Sequence, residues 1–166
     1  MNILYSPGAW ESFFLAITGA GSALCGLVFV GLSLNLSKII PFPRLVGRGA
    51  EAVALLLATV IFSLMCLIPE ASPKLIGILL FATGLPLWFM VTRLHIFAYH
   101  EQKEKYLYSF IRRAVIAQLA MVPVIISAVS LFLGAGGGLA WLAFGLVMAV
   151  VVGVYDAWVL VIEILR

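Results

Sequence analysis

The chain has 166 residues, 64% of them apolar and only 10% charged, with a mean hydropathy of +1.21. A soluble domain carries roughly 25% charged residues, so this chain lacks the polar groups to cover itself in water and must take lipid as its solvent, in one small domain. The net charge of +3 does not point to nucleic acid, because nearly all the basic residues flank apolar runs instead of lining one stripe.

Five apolar runs predict an all-α, multi-pass helical bundle with helices over about 12–36, 52–68, 75–92, 114–133 and 139–162. None of them alternates apolar with polar, which excludes the strands of a membrane barrel. The first run is not expected to be a cleaved leader: no basic residue precedes it, and it exceeds the roughly 7–15 apolar residues of such a segment. It includes TGAGSALCGLVFVGLSLN. Gly19, Ser22 and Gly26 lie deep in it and predict a seam where another helix packs closely. Asn35 falls near the headgroups, where it caps the helix end.

The linker SKIIPFPRLVGRGAE follows. Pro41 and Pro43 predict an extended crossing, Gly47 and Gly49 loosen the chain before the second helix, and Arg48 pairs locally with Glu51. In the second run Thr59, Ser63 and Cys66 make one mildly polar stripe. Cys25 and Cys66 differ in depth by over ~10 Å, too far apart for a disulfide. Pro86 and Pro123 predict kinks in the third and fourth helices, and Gln118 has no polar companion in phase. In the linker between those helices His100 and Glu104 stand four apart with no third ligand in step, so no metal is expected. Glu101 and Lys105 support a helical hairpin end there. Tyr99, Tyr106, Tyr108 and Phe110 suit a lipid headgroup layer. The GAGGG at 134–138 lacks the Lys-Ser/Thr of a phosphate loop and predicts a flexible hairpin.

The fifth run carries Gly145, Ala149 and Gly153 at spacing four, a small-residue ladder on one face. Asp156 and Glu163 fall near that face. Glu163, close to the end, is expected to be solvated. Asp156 lies about two turns in, where a carboxylate is costly unless paired or protonated. It is either an ion or proton site or the partner of Arg93 or Arg48. Lys38, Arg44, Arg48, Arg93, Lys103, Lys105, Arg112, Arg113 and Arg166 fall on one side of the membrane and Lys74 on the other. That bias puts the N-terminus outside and the C-terminus in the cytoplasm, with Trp10 and Trp141 at the outer interface.

Leu32, Ser33, Leu34 and Asn35, followed by a proline-containing loop and then Gly47, Arg48 and Glu51, give residues 13–70 a pattern that resembles a group of small bacterial inner-membrane proteins. Some of these are described as modulators of the membrane-bound protease FtsH. The resemblance implies a bacterial inner-membrane location and a regulatory partner role; separately, no cofactor is expected.

No nucleophile stands with a base, and no acids pair at matched depth, so the chain is not expected to be an enzyme. The expected role is contact between helices in the lipid bilayer, as a homo-oligomer or with another membrane protein. The alternative is an oligomeric ion or proton channel or small transporter, with Asp156 or Asn35 as its site.

Overall fold

A computed structural model of the chain describes residues 3–101 and 107–165, and for 94, 97–101, 107–110, 112, 164 and 165 the backbone alone. Two short 3-10 turns, Ile3–Tyr5 and Pro7–Trp10, lead into α1 (Glu11–Leu34). The short α2 (Leu36–Ile39) is followed by α3 (Pro43–Cys66), α4 (Pro73–Glu101), α5 (Leu107–Leu133) and α6 (Leu139–Leu165). No strand occurs among the described residues. Five of the helices are long and apolar enough to cross a membrane, as the composition requires.

Three boundaries on the charged side differ most from the expected ones, and the first of them has a local reason. The second long helix starts at Pro43, nine residues before the apolar run. Phe42 is extended and Pro43 occupies the first helical turn, where its missing N–H costs nothing and its fixed φ suits the helix. The proline thus starts a helix instead of stiffening an extended crossing, and Gly47 and Gly49 lie inside that helix. The α4 helix continues past Arg93, and α5 begins before Ala114. Pro86 and Pro123 sit within unbroken helices. Residue 35 ends α1, where the Asn35 side-chain amide donates to the carbonyl of Gly31 and competes with the backbone for it.

The helices α3, α6, α5 and α4 pack in that order around one apolar core, and α4 closes back on α3. Leu55, Phe62, Leu80, Met121, Leu142 and Leu146 fill the centre. Two close approaches set the spacing. A Cβ at Gly77 of α4 would lie 2.8 Å from the Ala128 carbonyl oxygen and 3.1 Å from the Phe132 nitrogen of α5. A Cβ at Gly145 of α6 would lie 3.0 Å from the Ala120 carbonyl oxygen. At these points only hydrogen separates one backbone from the next.

The α1 helix stands apart. It packs mainly on the flank of α3, and of its residues only Phe14 and Gly21 are buried. Its first turn is also held at one end by an N-terminal clasp. The Gly137 N–H donates to the Tyr5 hydroxyl at 3.0 Å, and Trp10 donates to the Ile3 carbonyl. Ser130 completes the clasp: its hydroxyl donates to the Ala135 carbonyl and accepts from the Gly138 N–H at 2.8 Å. The glycine run at 134–138 is therefore a fastened turn and not a loose hairpin. Gly134, Gly136, Gly137 and Gly138 all have positive φ, which glycine adopts without strain.

Ser130→Ala would strand the Ala135 carbonyl and the Gly138 N–H together. A loss of about 1–3 kcal/mol is expected, read as a lower unfolding midpoint in detergent, with earlier protease cleavage at 134–138. Unchanged stability would show that the hydroxyl does not fasten the turn.

Candidate functional site

One end of the bundle holds a cluster of seven ionisable side chains from four helices. Because α3 begins at Pro43, Arg44, Arg48 and Glu51 stand at i, i+4 and i+7 on a single helical face. Asp156 and Glu163 on α6 are also seven apart, on the face that meets α3. The α5 helix supplies Arg113, and α4 supplies His95, two residues past Arg93.

Glu51 is the most connected acid. It is 1% exposed, lies directly against the Arg113 guanidinium, and has His95 Nε2 3.1 Å from its other oxygen. It therefore ties α3 to α5 and α4 at once. His95 is itself only 5% exposed. Asp156, also 1% exposed, has Arg48 Nε and Arg113 Nε each 3.7 Å from Oδ1. At the rim, Glu163 receives Arg44 at 2.7 Å and Arg48 at 3.4 Å. Three guanidiniums (Arg44, Arg48, Arg113) face three carboxylates (Glu51, Asp156, Glu163), so these six charges cancel. Buried ions persist only when they are paired in this way.

Several expectations change in detail. Asp156 lies beside Arg48, one of its two expected partners, while Arg93 is exposed and stacks over the Phe89 ring at 5.3 Å. That cation–π contact points Arg93 away from the cluster. Arg48 does not pair with Glu51 locally; it reaches across to α6. Glu163 is bonded, not simply solvated. Asn35 is spent on capping α1 and takes no part. Gln118 accepts from the Trp88 indole at 2.6 Å and donates to Thr92 at 3.2 Å. Its companions are on α4, where the phase of its own helix gives no hint of them. His100, Glu101, Glu104, Lys105, Tyr99, Tyr106, Tyr108, Phe110 and Arg112 lie outside the described side chains.

The two small-residue faces part company. On α6, a Cβ at Gly153 would meet Leu56 Cγ at 2.9 Å and the Ala52 carbonyl oxygen at 3.3 Å, and Ala149 is buried. With Gly145 against α5, that seam is filled within the chain. On α1, Gly19, Ser22 and Gly26 are exposed, and nothing lies within 4 Å of a Cβ at Gly19 or Gly26. The helix rests on α3 through Gly21 instead, where a Cβ would meet Val60 at 3.1 Å. The expected packing seam of the first helix is thus open in the single chain.

Sequence reasoning missed Glu51, His95 and Arg113 as members of the site. The available signal was Pro43, whose fitness for the first helical turn brings Arg44, Arg48 and Glu51 into one phase. Comparisons with protein-family models, with curated proteins and with solved structures find no match to this chain, so the site rests on its own geometry.

Proposed function

We propose that the protein works by contact within the bilayer, with α1 as the helix that a second copy of the chain grips. One observation carries this reading: Gly19, Ser22 and Gly26 leave open space on α1, whereas the comparable residues of α6 are already packed. In lipid, helices associate through close backbone approach at small residues. A face that presents itself to its own copy gives a closed, two-fold pair.

The rest of the bundle suits a rigid support for that face. Its charged end is closed by its own ion pairs, and Phe62, Leu80 and Met121 pack the interior beyond it. This favours contact over a water-filled path through the chain. The bias of Lys and Arg assigns the charged end to the cytoplasm. The resemblance of residues 13–70 adds a bacterial inner membrane, and the FtsH protease as a second kind of partner.

The test is the detergent-corrected mass of the purified protein. The expected value is at least twice the 17.9 kDa of one chain. Gly19→Leu and Gly26→Leu should give a monomer that still folds, since nothing of its own bundle lies within 4 Å of a Cβ at either position. Co-purification with FtsH, lost in the same variants, would support the partner form. A wild-type monomer with nothing bound overturns the proposal, and an oligomer that survives both variants removes α1 as the interface.

A further inference from the structure

Among the three acids of the charge cluster, Asp156 alone has only second-best contacts. Glu51 lies directly on Arg113, and Glu163 has Arg44 and Arg48 at 2.7 and 3.4 Å. Asp156 has two guanidinium nitrogens at 3.7 Å, near enough for charge attraction but beyond a hydrogen bond. Both of its oxygens are shut off from solvent, and neither has a hydrogen-bond partner among the described residues.

The groups around it come from every neighbouring helix. Arg48 and Glu51 face it from α3 and Arg113 from α5. His95 of α4 stands behind Glu51, while Arg44 and Glu163 close the rim. The α1 helix has its one charged residue, Glu11, at the opposite end.

We propose that Asp156 is a proton-binding site, loaded and emptied from the charged end of the bundle, while Glu51 and Glu163 keep their arginines. A buried carboxylate without hydrogen bonds bears the full cost of its lost hydration. Its neutral acid bears far less. Arg113 already has Glu51, and Arg48 already has Glu163, so neither guanidinium is left without an acid when Asp156 takes the proton. The six charges, balanced before, then sum to +1. Loading also removes the attraction that draws α6 toward α3 and α5 at this depth, so the proton loosens one side of the helix end. This proposal is independent of the role of α1.

The sequence makes the test unusually direct, because Asp156 is the only aspartate in the chain. Aspartate labelled with carbon-13 at its side-chain carboxyl, supplied in cell-free synthesis, reports this one group in the full wild-type protein. The carboxyl resonance is followed in lipid nanodiscs between about pH 5 and 8, the range in which proteins are usually most stable. The backbone amide spectrum monitors the fold. The expected result is a complete, reversible move from the carboxylate to the carboxylic-acid position. A resonance fixed in either form across the whole range, with the fold intact, overturns the proposal. Glu163→Gln, which frees Arg48 for Asp156, should move the change to lower pH. An unmoved change would show that Arg48 does not govern the site and would overturn the assignment of roles.

Discussion

Replacing Glu51 with methionine is expected to destabilise the bundle by about 3–5 kcal/mol, the range found when one partner of a buried ion pair is removed. The variant takes from the Arg113 guanidinium and from His95, itself only 5% exposed, the acid they share, and leaves Arg113 only Asp156 at 3.7 Å. Arg113→Met should be similarly severe, because Glu51 would then keep only His95 and Asp156 only Arg48. The double variant Glu51→Met/Arg113→Met should lie closer to wild type than either single one. It removes one positive and one negative charge, keeps Arg48 for Asp156, and puts apolar side chains of similar length in their place. Reversible unfolding in mixed micelles measures all four corners of this cycle. Simple additivity of the two losses would show that the pair does not act as a unit.

The second large effect is expected at Gly77. The atoms a Cβ would strike are the Ala128 carbonyl oxygen and the Phe132 nitrogen, and backbone has no rotamer by which to step aside. Gly77→Ala is expected to cost about 1–3 kcal/mol, as overpacking does, and Gly77→Val more, by forcing α4 away from α5. Gly47→Ala is the control. Gly47 also lies within a helix, but nothing stands within 4 Å of a Cβ there. It should gain up to about 1 kcal/mol from the better helix propensity of alanine. Equal effects at the two positions would contradict the close α4–α5 approach.

The number of spans was legible because apolar length alone determines it in a bilayer. The ends were not, because hydropathy stops at the first charges, and here the charges belong inside the helices. Arg44, Arg48 and Glu51 look like a loop until Pro43 is placed in the first helical turn; His95 looks like a linker residue until α4 is carried past Arg93. Asp156 stood out as an acid within an apolar run, and Arg48 was one of its two expected partners. Arg113 reads along the chain only as a topology signal, since nothing in the spacing along one chain says which helices adjoin. The small residues were equally ambiguous. Gly145 and Gly19 sit in similar patterns, yet one is packed and the other open, a difference set by which helix lies alongside.

The order in which the cluster is completed bears on how the protein is made. Arg44, Arg48 and Glu51 enter the bilayer on the second of the five spanning helices, and Arg113 on the fourth. Asp156 and Glu163 arrive only with the last. Inserting arginine or aspartate costs about 2.5–3.5 kcal/mol each at a helix centre and less near its ends. Until α6 is in place, Arg44 and Arg48 lack the acids they meet in the finished bundle. A nascent chain halted before α6 would thus carry uncompensated positive charge at the bilayer edge, and the final helix both closes the bundle and neutralises it.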